Sequence, residues 1–389
     1  MKIGRTIYLD HQATTPLDRH VLAEMAPYHC ESFGNPHSWD HSLGWKSARA
    51  VEIAAEQVAM LIGADPDEVT FTSGATESNN TALLGLGRRS IRGDRNRILI
   101  SAIEHRCVLA SARVLEEHHG FTVEQIPVDR RGCVKLSALD EMLGEDVLIV
   151  SVMAVNNEIG TIQDIAKISD RVRRYGIVFH CDAAQAPLAG PITSLGTYTD
   201  ILSLSGHKMY GPKGVGVIFI SRSLQDRIEP LIYGGGQQNG FRSGTLPVPL
   251  CVGMGAAAQL LFEDTTQVKR GELCRRRDFF VSRVKRLGWP ISLNGPEGDA
   301  RHAGNASLCF HGFSAHNILA ALQPHVAAST GSACTSGMSE PSHVLREIGL
   351  DCDDAEASIR FSLGFGTTDG DIERTIELLE DVLTRLSSI

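Results

Sequence analysis

Short apolar runs alternate with amphipathic stretches through the first two-thirds of the chain, and this alternation sets the expected architecture. Strands are expected at residues 97–101, 122–127, 147–153, 177–181, 200–204 and 215–220, most of them near-continuous apolar runs, with another short one at 68–72. Between them the apolar spacing becomes that of a helix, most clearly over 107–118 and 164–175. A long amphipathic helix is predicted over 41–63, with apolar positions at Leu43, Ala50, Ile53, Ala54, Val58 and Leu61. Residues 8–16 read as a strand leading into a Thr-Pro helix start. Apolar strands separated by helices imply an α/β fold whose mainly parallel sheet is covered on both faces. From about Pro249 the pattern turns helical. A strand at 306–310, helices near 315–322 and 342–348, a strand at 358–363 and a helix at 369–386 then suggest a smaller α+β unit. The expected division is a large domain over 13–260 and a small domain made of 1–12 and 261–389.

Composition narrows the function classes. With 389 residues, 42% hydrophobic and 21% charged, the chain is long enough for a large core and is ordinary for a globular enzyme. A net charge of −9 argues against direct nucleic-acid or membrane-surface binding. No apolar run approaches the ~18 residues that span a bilayer, and the first residues read as a strand, so a cytoplasmic location is expected. Nine cysteines in no paired spacing do not suggest a disulfide framework. There is no C-x-x-C or H-E-x-x-H. His29 with Cys30 and His118 with His119 are adjacent pairs rather than ligand spacings, so no metal site is expected. The basic run through Lys269, Arg270, Arg275, Arg276 and Arg277 reads as a solvated helix face, with docking of an acidic partner as the other reading.

Candidate chemistry gathers at strand ends. Lys208 follows an apolar run in Ser205-Gly-His-Lys208, and a second strand begins soon after. Its neighbours are Ser, Gly, His, Met and Tyr, not charges. A lysine in that setting is either a turn cap or a desolvated amine free to form a Schiff base. Ser73-Gly-Ala-Thr76 lies between a strand and a helix, where free amides and the helix dipole suit a phosphate. A plain capping motif, with Ser73 or Thr76 as N-cap, is the alternative there. Glu104 and His105, Asn156 to Glu158, Asp182 with Gln185, and Ser205 to Lys208 end successive strands. Ligands of such sheets sit at those ends. The glycine-rich 233–240 lets backbone approach a ligand or another chain, and no nucleotide P-loop is present. Cys334 stands in a long segment of small polar residues, either as a reactive thiol or as a chance cysteine in a linker.

These segments together closely resemble the cysteine desulfurases, enzymes of the class V aminotransferase group with the pyridoxal-phosphate-dependent transferase fold type I. The resemblance runs nearly end to end. It rests on Tyr8-Leu-Asp-x-x-Ala-Thr-Thr-Pro16, Phe33-Gly-Asn-Pro36, Thr72-Ser-Gly-Ala-Thr-Glu-Ser78, Asn156-Asn-Glu-Ile-Gly160 and Ser205-Gly-His-Lys208. Arg242-Ser-Gly-Thr-Leu-Pro247, Gly331-Ser-Ala-Cys-Thr-Ser336 and Ser358-Ile-Arg-Phe-Ser-Leu-Gly364 complete it. It implies that Lys208 binds pyridoxal 5′-phosphate and moves protons, that Asp182 pairs with the pyridinium nitrogen and Gln185 with the ring hydroxyl, and that His105 stacks on the ring as acid or base. Ala75, Thr76, Ser205 and His207 would hold the phosphate, joined by Thr245 of the partner subunit. Asn157 would lie beside the ring, contacting cofactor and substrate, and Arg360 would clamp the substrate carboxylate. Cys334 would take sulfur from L-cysteine as a persulfide, leaving L-alanine, as in the housekeeping iron–sulfur subgroup with its long loop. A homodimer and a sulfur-acceptor protein are implied.

Ala184, Ala154, His11 and Gln12 depart from common family residues without removing a catalytic group. The chain ends soon after its last helix, where relatives serving the iron–sulfur scaffold carry a docking tail. Delivery to tRNA thiolation or DNA phosphorothioation is therefore as open as delivery to the scaffold. A selenocysteine lyase or another class V relative, and a non-catalytic scaffold that has kept the fold, remain the alternative readings.

Overall fold

The computed structural model describes residues 1–91, 93–331 and 341–388. The chain opens with two short strands, β1 (Lys2–Ile3) and β2 (Thr6–Tyr8), paired with each other. Seven strands then build the central sheet: β3 (Val69–Thr72), β4 (Arg97–Ser101), β5 (Thr122–Ile126), β6 (Val147–Ser151), β7 (Val178–Asp182), β8 (Ile201–Ser205) and β9 (Gly216–Ile220). Their spatial order is β3-β9-β8-β7-β6-β4-β5. Pairings β4 to β5, β4 to β6, β6 to β7 and β7 to β8 are parallel, and only β9 runs against its neighbours. The mainly parallel α/β sheet expected from the apolar runs is therefore present, with strand ends within a few residues of those predicted. Strands β6 to β9 are buried at every position, as a sheet covered on both faces requires.

One apolar cluster joins Leu99, Val150, Phe179 and Leu202 to Val58, Leu61 and Met254 on helices, and a second covers the opposite face through Ile98, Ile149, Val178, Leu83 and Leu115. The helix Ser42–Ile62 packs against Val248–Phe262, which is apolar nearly all round and correspondingly buried. The two backbones approach so closely that a Cβ at Gly255 would lie 2.6 Å from Ala54 Cα.

Two expectations change. The first helix begins at Arg19, not beside Pro16, because Asp18 caps it by accepting a 2.7 Å hydrogen bond from the His20 amide. The basic run is not a uniformly solvated face. On the helix Asp264–Val284, Arg277 is 2% exposed and donates to the carbonyls of Arg301 and His302. Arg270 is also buried and donates to Pro187 O at 2.6 Å. Arg275 and Arg276 stay at the surface and pair with Glu272 and Asp369.

Beyond that helix lie β10 (Ile291–Leu293), β11 (Asn305–Phe310), β12 (Val326–Ala327) and β13 (Ser358–Ser362). Antiparallel β10-β11-β13 forms one small sheet, while β12 pairs in parallel with β2. Ile7 and Leu9 are thereby buried with Phe280, Phe310, Phe361 and Leu379. An isolated bridge from Asp10 to Ser362 follows β2 and carries the next residues toward the carboxyl ends of the central strands. Among the described residues, no helix is long and apolar enough to cross a membrane.

Candidate active site

A cavity of about 1000 Å³ lies where the carboxyl ends of β3, β4, β6, β7 and β8 meet the segment Asp10–Thr14 and strand β13. Ser73 to Thr76, Glu104 with His105, Asn157 with Glu158, Asp182 with Gln185, and Ser205, His207 and Lys208 all line it. Asn156 does not. It is fully buried, donates to Ile103 O at 3.0 Å and accepts from the amides of Glu158 and Ile159, so it shapes the turn that turns Asn157 to the cavity.

Lys208 ends a short 3-10 turn (Gly206–Lys208) between β8 and β9. Its Nζ donates to Gln12 O at 2.5 Å and Ala13 O at 2.9 Å. Burial first, and then the Arg360 charge, lower its pKa to about 8, against the pull of Asp10 and Asp182. A much larger share of this amine is therefore unprotonated near neutral pH than of a surface lysine. His207 is drawn down to about 4 by burial and by Lys208, and its Nδ1 lies 3.1 Å from Thr14 Oγ1.

At the other end of the cavity the helix Ala75–Asn80 begins behind Gly74, which supplies no side-chain cap; neither Ser73 nor Thr76 is the N-cap. The first amides of that helix are thus free of side-chain caps at the cavity wall. Gly216 makes the approach possible: a Cβ there would sit 2.5 Å from Gly74 Cα and 2.6 Å from Leu204 O. Glu77 accepts from Ser73 N at 2.8 Å and from Arg242 Nε at 2.9 Å, which ties the glycine-rich region to the same turn. Gln238 completes the tie, pairing with Phe71 N and O along β3.

Asp182, 5% exposed at the end of β7, accepts from Asn79 Nδ2 at 2.7 Å and from the Ala184 amide at 2.9 Å. Beside it, Glu104 is fully buried and accepts from Met153 N at 2.6 Å through Oε1, while Oε2 has no partner. Burial, reinforced by the Asp182 charge, raises the Glu104 pKa well above the ordinary carboxyl range, so the group is held toward its neutral acid form. His105 caps the helix Arg106–His119 through Nδ1, which accepts from Cys107 N at 3.2 Å. Its ring is open to the cavity, but the walls crowd it enough that lost hydration lowers its pKa, against the pull of Asp182. Arg360, on β13 and 4% exposed, donates to Asn157 O at 2.8 Å, Asp10 Oδ1 at 2.8 Å and Ser329 Oγ at 2.9 Å.

Residues 7–375 match the aminotransferase class-V family. The chain belongs to the class-V aminotransferases. It is 42% identical over 383 residues to cysteine desulfurase IscS of Rickettsia akari (strain Hartford), spanning 98% of this chain and 92% of that protein. A solved NifS-like protein superposes with a TM-score of 0.90 at 33% identity, covering 97% of this chain and 99% of that one. SspA, solved in complex with cysteine, superposes at 0.79 with 34% identity over 92% of this chain and 99% of its own. The activity of this class-V enzyme is that of a cysteine desulfurase dependent on pyridoxal 5′-phosphate.

The residues present fit that cofactor. Asn79 Oδ1, Glu104 Oε2, Gln12 Nε2 and Arg360 Nε are buried without a protein partner, and all four residues line the one cavity. A phosphate suits the uncapped amides at Ala75 and Thr76, and a basic ring nitrogen suits Asp182. Of the site residues expected from sequence, Ala75, Thr76, His105, Asn157, Asp182, Gln185, Ser205, His207, Lys208 and Arg360 all border this space. Thr245 is exposed and away from the cavity of its own chain. Cys334 lies outside the described residues. Sequence reading passed over Asn79, Asp10 and Lys213, which also line the cavity. The only signal for Asn79 was its place one turn after Ala75, on the face that helix turns to the sheet.

Proposed function

We propose that this enzyme takes sulfur from L-cysteine onto Cys334 and hands it to an acceptor protein, working as a cytoplasmic homodimer. The net step converts the Cys334 thiol and cysteine into a Cys334 persulfide and alanine: an S–S bond forms, the Cβ–S bond of cysteine breaks, and the carbon gains a proton. Bound pyridoxal 5′-phosphate supplies an electrophilic aldehyde carbon and a ring that accepts electrons released from the amino acid.

The chain's own residues do the rest. Lys208 offers an amine with a pKa near 8, which both binds the cofactor and carries a proton to and from carbon. Asp182, fixed by Asn79 and Ala184, keeps a proton on the ring nitrogen, and Gln185 meets the ring hydroxyl. Ala75, Thr76, Ser205 and His207 grip the phosphate, together with Thr245 of the partner subunit. Asn157 lines the ring, and Arg360 receives the substrate carboxylate. His105 works as the acid or base at the cavity wall. Gly331 and His343, described residues on either side of the segment that contains Cys334, both border the cavity, which supports a role for that segment in the chemistry there.

The units 13–260 and 1–12 with 261–389 divide the work between cofactor grip and substrate clamp. Phe33, Trp39 and Tyr233 are 65%, 84% and 68% exposed, an apolar cost that a second copy would relieve. The acceptor serves iron–sulfur assembly, tRNA thiolation or DNA phosphorothioation.

The observation that supports this reading most is the lysine amine, desolvated and held by Gln12 and Ala13, in one cavity with Asp182 and Arg360. Purified enzyme given cysteine and a thiol reductant is expected to release alanine and sulfide in equal amounts, with Lys208→Ala and Cys334→Ser both inert. Alanine formation that survives loss of Cys334 would overturn the persulfide step.

A further inference from the structure

Away from the cavity, three potential ligand atoms converge at one end of the small sheet, beside its middle strand. Cys309 lies at the end of β11, His311 in the turn after it, and Asp354 on the helix Cys352–Glu356 that precedes β13. His311 Nδ1 is 3.5 Å from Cys309 Sγ and 2.6 Å from Asp354 Oδ1, and Cys309 Sγ is 3.6 Å from Asp354 Oδ1. A nucleophile–histidine–carboxylate relay would use both ring nitrogens. Here the thiol and the carboxylate face the same nitrogen, and Cys309 is fully buried, so relay chemistry is excluded.

We infer that Cys309, His311 and Asp354 form a binding site for a zinc-type divalent cation, with a water molecule as fourth ligand. Zinc bond lengths of about 2.3 Å to sulfur, 2.0–2.1 Å to nitrogen and 2.0–2.2 Å to oxygen, set at tetrahedral angles, put both S···N and S···O edges near 3.5–3.6 Å and the N···O edge near 3.4 Å. Two of the three edges already have those lengths. The third opens when the His311–Asp354 hydrogen bond gives way to the metal. Ser292 Oγ, 2.8 Å from His311 Nε2, is the outer partner that fixes the ring. Its hydroxyl can donate to Nε2 before binding and accept from Nε2–H afterwards, so the ring need not turn.

The backbone that carries the carboxylate is also pinned on both sides. Asp351 caps its helix, accepting from Asp354 N at 2.8 Å, and Ser358 Oγ donates to Asp354 O at 2.8 Å. His311 and Asp354 are about one-third exposed, which leaves an entry path and room for water. The mixed sulfur, nitrogen and oxygen set favours zinc over calcium or magnesium. The ion would clamp β11 to the helix that leads into β13, the strand of Arg360. Binding releases the Cys309 thiol proton to solvent, so affinity rises with pH.

The test uses holoenzyme carrying Cys334→Ser, stripped with a chelator and titrated with zinc against a chromogenic competitor. One equivalent per chain is expected, together with a higher melting temperature. His311→Gln and Asp354→Asn should each weaken binding by more than the about 10–100-fold that loss of an outer partner costs, and should abolish the thermal shift. Cobalt in place of zinc should give a thiolate charge-transfer band that Cys309→Ser removes. Binding of no equivalent would overturn the inference. So would an equivalent of unchanged affinity in both His311→Gln and Asp354→Asn, which would place the ion on other thiols.

Discussion

Glu104 gives the sharpest test of the electrostatics at this site. Its carboxyl is fully buried, has one hydrogen bond through Oε1 and sits within reach of the Asp182 charge. The account holds it as a neutral acid, which spares Asp182 a second negative charge. Glu104→Gln keeps the oxygen that accepts from Met153 N and removes only the ability to ionise. The folded carboxyl has a raised pKa, so the folded state retains a proton that the unfolded chain releases. Its contribution to stability is complete below the unfolded pKa and is lost as pH rises toward the folded one. Wild type minus Glu104→Gln should therefore fall by about 1.4 kcal/mol for each pH unit above about pH 5 until Glu104 ionises in the fold. Groups common to both proteins cancel in the difference. Denaturant midpoints at stepped pH, with pyridoxal 5′-phosphate saturating, measure it. A difference that stays flat from about pH 5 to about pH 8 would refute the reasoning, because the carboxyl would then be ionised in both states.

Three further outcomes follow from the same geometry. The rate of cofactor reconstitution should rise with pH through about 8, where Lys208 becomes neutral, and level off well below the range of a free lysine; stopped-flow absorbance checks it. Arg360→Lys should raise the KM for cysteine roughly tenfold or more with a smaller change in kcat, because an ammonium cannot hold a carboxylate bidentately. Gly216→Ala should cost about 1–3 kcal/mol by pushing a methyl group into the Gly74 backbone, and should loosen the cofactor; denaturation and cofactor release during dialysis measure both effects.

The middle of the sheet was legible because β6 to β9 are buried on both faces, so they appear as near-continuous apolar runs such as 147–153 and 215–220. Strand ends carrying polar groups then marked where a ligand should sit. Tertiary partners were harder to read. β10 and β12 are only three and two residues long and carry no period of their own. Arg277 looks like a surface charge until its guanidinium meets the carbonyls of Arg301 and His302. Asn79 and Asp10 act through residues 103 and 350 positions away, distances no local pattern spans. Cys309 and His311 are too close in sequence to suggest a metal until Asp354 is brought beside them by the strand pairing.

The central claim is that the cofactor is carried by Lys208, and the cavity offers a rival amine in Lys213. Borohydride reduction of the coloured enzyme, followed by peptide mapping by mass spectrometry, decides between them. The account predicts a single pyridoxyl phosphate adduct on Lys208 Nζ. An adduct on Lys213 instead, or a colourless protein that takes up no label after incubation with the cofactor, would contradict it.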